Sequence, residues 1–189
     1  MDRAWSIALI AIVLPILGAL VFRRVGQDYE RRGRLTRFST FLQVLIFFLH
    51  GASSYIFLDS RPGAIDVKNP IFGLAVVLLV GGLVMLFTAM GRLGVPKTLG
   101  QDVTGLHCSG MYHHSRNPQI LSYGLVVTGY SLFWPSWSGV LWLTVYGIIA
   151  HMMVRTEEAH LRKAYGDGYV EYCIRTPRYV ELPGKARRE

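Results

Sequence analysis

Five apolar runs divide the chain and predict membrane-spanning helices. The first three cover residues 5–22, 38–58 and 71–90, and each is close to the about 20 residues with which a helix crosses the hydrocarbon core of a bilayer. The last two, residues 119–134 and 138–154, are shorter, and they qualify as spans only if they continue into the PSWS turn between them. The pattern therefore predicts an all-α integral membrane protein with about five transmembrane helices, the last two forming a helical hairpin.

Lys and Arg residues alternate along the chain between rich and poor segments. Of the 20 Lys and Arg residues, 17 lie in the first loop, the third loop and the segment from Arg155 onwards. Positive residues accumulate in cytoplasmic segments, so we expect the N-terminus outside and the C-terminus in the cytoplasm. The net charge of +8 is then explained by the orientation of the chain in the membrane and by contact with anionic headgroups. It does not predict a nucleic-acid partner.

The 189 residues suit a single domain, with a three-span part (1–90) followed by a more polar part (91–189). The first apolar run has its positive charges mainly after it and no small-residue cleavage site, which favours a retained anchor over a signal peptide. Cys108 and Cys173 have no CxxC partner, and the histidines show no HExxH spacing, so no metal site is predicted. GxSxG, Walker and GxGxxG motifs are also absent from the sequence, which leaves hydrolase, nucleotidase and Rossmann functions without support.

Two adjacent acids, Glu157 and Glu158, follow the last apolar run. Glu158 shares a helical stripe with Arg155 and Arg162, and pairing with these arginines is its simple structural interpretation. Glu157 lies about 100° around the helix, on the apolar side beside Leu161. An acid in that position is costly unless it meets a cation or a donor, and a positively charged ligand would supply one. Spacing alone leaves both interpretations open.

The stretch GMYHHSRNPQILSYGL, residues 110–125, places many hydrogen-bonding groups directly before the fourth run. Pro118 suits the first turn of a helix, and Asn117 or Ser115 suits its N-cap. Capping does not account for Tyr112 and the two histidines that follow it. Because the N-terminus of a helix also attracts carboxylates, this stretch and the Glu pair offer an anion site and a cation site, which together suit a zwitterion.

Other polar side chains also have two interpretations. Arg175 and Arg178 either anchor the tail to lipid headgroups or hold a substrate phosphate or carboxylate. His50 and His151 lie in or at the edge of apolar runs, and we expect them to be hydrogen-bonded core groups.

Three motifs, in this order along the chain, resemble one protein family. G-x-Y-x-x-x-R-N-P-Q occupies residues 110–119, a Glu pair occupies 157–158, and L-x-x-x-Y-G-x-x-Y-x-x-Y with a following R-x-P-R occupies 161–178. Together they resemble the integral-membrane methyltransferases that include isoprenylcysteine carboxyl methyltransferase and bacterial phospholipid methyltransferases. The resemblance extends over about residues 91–181.

The resemblance implies a five-span fold whose cytoplasmic end encloses S-adenosylmethionine. The cofactor-binding residues that it implies are Gly110, Tyr112, Arg116, Asn117, Pro118, Gln119, Glu157 and Glu158. Arg178 matches the family's arginine after the proline, with Arg175 nearby. Where the family pattern continues with an aromatic residue and a glycine, this chain has Ile120 and Ser122.

The same resemblance implies methyl transfer to a lipid or other lipophilic acceptor that enters from the bilayer. A carboxylate acceptor needs only an arginine to hold it, whereas an amine needs a proton acceptor such as His113, His114 or a tyrosine. The sequence does not choose between carboxylate, amine and thiol acceptors. Two alternatives stay open: an NADPH-dependent membrane sterol-type reductase of related fold, whose tail partly resembles YCIRTPRYV, and a non-catalytic membrane protein.

Overall fold

The computed structural model describes residues 2–58, 67–102 and 105–180, and within these ranges the chain forms α-helices and no strands. The helices are α1 (Arg3–Arg32), α2 (Arg37–Phe57), α3 (Pro70–Leu93), α4 (Val95–Thr98), α5 (Met111–His114), α6 (Pro118–Ser131), α7 (Trp137–Tyr165) and α8 (Asp167–Arg175). The predicted all-α fold is confirmed. Most of the loop that follows α2 and the last nine residues of the predicted cytoplasmic tail lie outside the described residues.

Among the residues that the structure describes, four helices, α1, α2, α3 and α7, are long and apolar enough to cross a membrane. The fourth predicted run forms α6, which has 14 residues and is shorter than the about 17 residues that a span requires. The first run is part of a longer helix than predicted, because α1 continues for ten residues beyond Phe22. It ends at Gly33, which adopts the left-handed conformation (φ 66°) and donates its amide to the Tyr29 carbonyl.

The helices alternate in direction, so the polar segments meet at one end of the bundle. At the other end, Arg3 Nε at the start of α1 donates to the Ile56 carbonyl at 3.0 Å, and Ser138 Oγ at the start of α7 donates to the Phe57 carbonyl. At the polar end, the Leu35 amide between α1 and α2 donates to the Gly100 carbonyl at 3.0 Å. The Lys- and Arg-rich segments that the sequence predicted to share one membrane face therefore share one end of the molecule.

α6 packs closely against α3 because small residues line their contact. A Cβ atom on Gly82 would lie 2.8 Å from the Val126 amide nitrogen, and one on Gly129 would lie 2.5 Å from that of Leu79. Small residues allow the backbones of membrane helices to approach in this way. The contact fixes α6, and hence the start of α6 at Pro118, relative to the rest of the bundle.

α1, α2 and α7 form the other close-packed group, which includes the fully buried Ile149. His50 is also fully buried, stacks on Trp142 at 4.6 Å and lies 3.1 Å from the Trp142 carbonyl, which confirms it as a hydrogen-bonded core group. The same prediction for His151 is wrong in part: its Nδ1 lies 3.1 Å from the Tyr179 hydroxyl, but the residue is exposed.

Candidate functional site

The C-terminal segment lies along the stretch that precedes α6. The Arg116 amide donates to the Pro177 carbonyl at 3.0 Å, and Asn117 Nδ2 donates to the Arg178 carbonyl at 3.0 Å. One turn earlier, the Tyr172 hydroxyl donates to the Tyr112 carbonyl at 2.5 Å. These bonds join two of the sequence motifs, although about 60 residues separate them along the chain.

Glu158 lies between the two arginines of these motifs. Arg116 Nη1 is 3.2 Å from Glu158 Oε1, and Arg178 Nη2 is 2.7 Å from Oε2. Arg116 Nη1 also contacts the Cys173 sulfur. Glu158 is only 8% exposed, and its hydrogen bond and charge raise the pKa of Arg178. The pairing with Arg155 and Arg162, which spacing left open, is not formed: Glu158 pairs with Arg116 and Arg178 instead, and Arg155 and Arg162 are exposed.

Glu157 has a different environment from its neighbour. Its side chain is half-buried and makes no hydrogen bond or ion pair with any residue that the structure describes. It lines a pocket of about 90 Å³ whose walls come from α1, the segment before α6, α7 and α8. Four tyrosines, Tyr29, Tyr112, Tyr169 and Tyr172, contribute to these walls.

The buried phenols around Glu157 stay protonated at neutral pH. Burial raises the pKa of Tyr112 and Tyr172 far above the ordinary value, and the charge of Glu157 raises that of Tyr112 further. Neutral phenols can donate hydrogen bonds to a ligand in the pocket.

Some of the other predicted site residues line the Glu157 pocket, and others do not. Arg116 and Asn117 line the Glu157 pocket together with Tyr112. Asn117 occupies the N-cap position of α6, as predicted, but its side chain makes no capping hydrogen bond; Ser115 Oγ accepts a hydrogen bond from the Asn117 amide at 3.2 Å. Asn117 instead uses its side-chain amide to hold the tail.

Pro118 is fully buried at the first position of α6, and Gln119 Nε2 donates to Thr98 Oγ1 at 3.2 Å. Gly110 has φ 63°, and a Cβ atom there would lie 2.5 Å from Arg92 Nη1. The Gln119–Thr98 hydrogen bond and the conformation of Gly110 both stabilise the chain segment that leads into α6. Glycine suits position 110 because its positive φ is a backbone conformation that other residues rarely adopt.

His113 and His114 are exposed, and the structure does not place them on the wall of the Glu157 pocket. Arg175 is also exposed and pairs with Glu171 one turn away. Ile120 and Ser122, where the chain departs from the family pattern, lie away from the pocket as well. Ser122 is fully buried, and its hydroxyl donates to the Pro118 carbonyl within α6.

Sequence reasoning missed Tyr29 and His160, which stack at a centroid distance of 4.0 Å and close one side of the pocket. Tyr29 belongs to no motif and follows the charged residues that end the first apolar run. A weak signal was present, because Phe22, Val25 and Tyr29 continue an apolar stripe at helical spacing. Within the described ranges, no group of three or more His, Cys, Asp and Glu side chains is arranged to hold a metal ion.

Comparison with known proteins identifies the family of the chain. A family model described as phospholipid methyltransferase matches residues 71–168, from α3 to the first turn of α8. The match includes the 110–119 motif and the Glu pair. No curated protein and no solved structure matches the chain.

Proposed function

The chain belongs to the phospholipid methyltransferase family, and we propose that it transfers a methyl group from S-adenosylmethionine to a lipophilic acceptor at the cytoplasmic membrane face. The family assignment made from the three sequence motifs is thereby confirmed. The single observation that carries the cofactor proposal is the free carboxylate of Glu157 in a pocket walled by tyrosines, beside a second carboxylate that two arginines neutralise.

The chemistry of the pocket fits S-adenosylmethionine. The cofactor has an ammonium group and a sulfonium group, and Glu157 is a carboxylate without a partner among the described residues. Aromatic faces attract cations and stack on planar rings, and four tyrosines are available for both. The pocket of about 90 Å³ is smaller than the about 300–1,000 Å³ of ordinary small-molecule sites, so binding requires the walls to separate.

The residues of the site divide into two roles. Glu157, Tyr112 and Asn117 line the pocket and would contact the cofactor, which supplies an activated methyl group for in-line displacement. Glu158 would act as a positioning residue, because its two arginines join the start of α6 to the tail. Held in this way, the walls orient the reactants and exclude water, which is what a transfer of an already activated group mainly needs.

The membrane arrangement that we propose follows the charge distribution. The end of the bundle that contains the pocket also contains the Lys- and Arg-rich segments, which supports a cytoplasmic active site and an external N-terminus. α6 and α7 would form a helical hairpin, and α6 would provide the fifth crossing together with the residues that flank it. The acceptor would enter from the bilayer, with its nucleophile a carboxylate, an amine or a thiol.

Binding of S-adenosylhomocysteine to the detergent-purified chain, measured by calorimetry, tests the cofactor. The wild-type chain should bind, and Glu157→Gln should weaken binding about tenfold or more, because a charge-assisted hydrogen bond contributes about 1.5–3 kcal/mol. Glu171→Gln is the matched control, since Glu171 is exposed in α8 and pairs with Arg175. Absence of binding to the wild-type chain would refute the proposal, as would equal effects of the two variants.

A further inference from the structure

Two stacked rings separate the Glu157 pocket from a larger space. The rings of Tyr29 in α1 and His160 in α7 are parallel to within 8°, and their centroids are 4.0 Å apart. Both residues line the Glu157 pocket of about 90 Å³, and both also line a groove of about 1000 Å³ between α1 and α7. The ring pair is therefore the partition between a small pocket and an open groove.

This partition is held less firmly than other parts of the site. Elsewhere around the pocket, the Tyr172 hydroxyl donates to the Tyr112 carbonyl, and two arginines pair with Glu158. Neither ring of the Tyr29–His160 pair makes a hydrogen bond or an ion pair with a residue that the structure describes. Stacking, rather than hydrogen bonding, holds this wall together.

The groove provides unfilled space beside the two rings. A Cβ atom on Gly33 would have nothing within 4 Å, and one on Gly26 would have the Thr156 methyl carbon at 3.6 Å as its nearest neighbour. The rings therefore have room to rotate on the groove side. The small residues that line this space are Gly26, Gly33, Ala159 and Ala164.

Once separated, the two rings offer a planar base two aromatic faces and a ring nitrogen. Nucleic acid bases stack on tyrosine and histidine, and such a stack contributes about 1–3 kcal/mol per base. His160 is 7% exposed, and its Nε2 has no hydrogen-bond partner among the described residues. A buried ring nitrogen without a partner is costly, and the donor and acceptor groups on the edge of adenine would satisfy it.

The ring pair and Glu157 face the same pocket from neighbouring positions. His160 follows Glu157 by three residues on α7, and residues at this spacing have Cβ atoms about 5–6 Å apart. A ligand that carries a cation near a purine can contact both. The family match does not extend to Tyr29, which precedes the matched residues 71–168, and His160 lies between the Glu pair and the motif that begins at Leu161.

We propose that Tyr29 and His160 form the adenine site of the cofactor: the purine ring inserts between the two side chains, and His160 Nε2 forms a hydrogen bond with its edge. This inference rests on the proposed function, since it assigns the base of S-adenosylmethionine. It adds recognition of adenine to the recognition of positive charge by Glu157. Insertion of the base also provides the separation of the walls that a pocket of about 90 Å³ requires.

Calorimetry with two ligands tests the site. S-adenosylhomocysteine contains both the base and the ammonium group, whereas 5′-methylthioadenosine contains the base alone. Tyr29→Leu should weaken the binding of both compounds about tenfold, because it removes one stacking face, and Tyr29→Phe should bind both as the wild-type chain does. Glu157→Gln should weaken only S-adenosylhomocysteine. Equal losses for Tyr29→Leu and Tyr29→Phe, or a wild-type chain that binds S-adenosylhomocysteine but not 5′-methylthioadenosine, would overturn the adenine site.

Two variants of His160 separate stacking from hydrogen bonding. His160→Leu removes both and should weaken the two ligands about tenfold or more. His160→Phe keeps the aromatic face and loses only the nitrogen, so we expect a loss of about threefold, which corresponds to one ordinary hydrogen bond. Equal affinities of the leucine and phenylalanine variants would contradict the stacking role.

Photolabelling gives a measurement that does not depend on any variant. The probe is S-adenosylhomocysteine with an azide on C8 of adenine, added to the full wild-type chain in detergent. Label should appear in peptides that contain residues 29 and 160, and excess S-adenosylhomocysteine should remove it. Label confined to residues 93–102, several of which also line the pocket, would overturn the adenine site.

The failure of this inference differs from the failure of the proposed function. A wild-type chain that does not bind S-adenosylhomocysteine refutes the proposed function. If the wild-type chain binds it, Glu157→Gln weakens binding and the leucine variants of both rings bind normally, the proposed function stands and the adenine site is overturned.

Discussion

Glu157 and Glu158 are adjacent on α7, yet their partners differ. Glu158 pairs with two arginines, whereas Glu157 pairs with no arginine that the structure describes. Successive residues of a helix point about 100° apart, so neighbours in sequence can face different surroundings. Glu158 faces the start of α6 and the tail, and Glu157 faces the pocket. Their substitutions should therefore have different consequences.

Glu158→Gln should destabilise the fold. The Arg116 side chain is 11% exposed, and the substitution leaves it without its acidic partner. Removing one partner of a buried ion pair costs about 3–5 kcal/mol, and we expect about 3 kcal/mol because Arg178 is partly exposed. Denaturant unfolding in detergent, followed by circular dichroism, measures the effect.

Glu171→Gln serves as the control for that measurement, because the Glu171–Arg175 pair is exposed and such pairs contribute about 0–1 kcal/mol. If Glu158→Gln and Glu171→Gln lowered the free energy of unfolding equally, Glu158 would not be the residue that fixes the tail.

Tyr172→Phe should loosen the contact between α8 and the 110–119 motif. The phenol donates to the Tyr112 carbonyl, and burial raises its pKa, so it remains a donor throughout the neutral range. Loss of the donor leaves a buried carbonyl unpaired, at a cost of about 1–3 kcal/mol. Amide hydrogen exchange in residues 110–119 should become faster.

Tyr169→Phe is the control for Tyr172→Phe. Tyr169 is as deeply buried and lies on the same helix, but its hydroxyl makes no hydrogen bond within the described part of the chain. Faster exchange in both variants would show that packing, and not the hydrogen bond to Tyr112, controls the segment.

At the scale of whole elements, hydropathy and helix-end signals predicted most of the helices. Gly166 follows the last residue of α7 as its C-cap, and its φ of 52° explains why a glycine is there. Hydropathy failed at α1, because it detects the apolar part of a helix and not the amphipathic turns that follow. Those turns bury Val25, Asp28 and Tyr29 against the rest of the protein.

The contact between α3 and α6 supports an element-scale prediction. Gly82→Ala places a methyl group 2.9 Å or less from the backbone of Ser122 and Val126, and backbone cannot rotate out of the way. Overpacking of this kind costs about 1–3 kcal/mol. Thermal unfolding should occur at a lower temperature, and S-adenosylhomocysteine binding should weaken because α6 carries Arg116 and Asn117 at its start.

Gly81→Ala is a close control, because the neighbouring glycine of the same helix has nothing within 4 Å of an added Cβ. The outcome that contradicts the close α3–α6 contact is a Gly82→Ala variant as stable as Gly81→Ala.

At the scale of the molecule, the sequence motifs indicated which segments lie together at the polar end better than they indicated the partners of each side chain. Local spacing favoured Arg155 and Arg162 for Glu158, but exposed pairs on one helix contribute little. The structure instead pairs Glu158 with Arg116 and Arg178, which are 42 and 20 residues away along the chain and become neighbours only when α6 and the tail pack on α7. Tyr29 and His160 were missed for the same reason.

The orientation of the whole molecule is testable through Cys108, which is exposed at the polar end of the bundle. Of the 16 Lys and Arg residues within the described ranges, 14 lie in the segments that meet at this end, so we expect it to face the cytoplasm. A membrane-impermeant maleimide should label Cys108 in inside-out vesicles and not in sealed right-side-out vesicles.

Trp137→Cys in a Cys108→Ser background gives the opposite test, since Trp137 is 89% exposed at the other end of α7. This variant should react in right-side-out vesicles and be protected in inside-out vesicles. The opposite labelling pattern for both cysteines would place the pocket outside the cytoplasm, away from the compartment in which S-adenosylmethionine is expected. Labelling of Cys108 from the cytoplasmic side alone would instead place the Glu157 pocket at the cytoplasmic surface, on the side from which a soluble cofactor arrives.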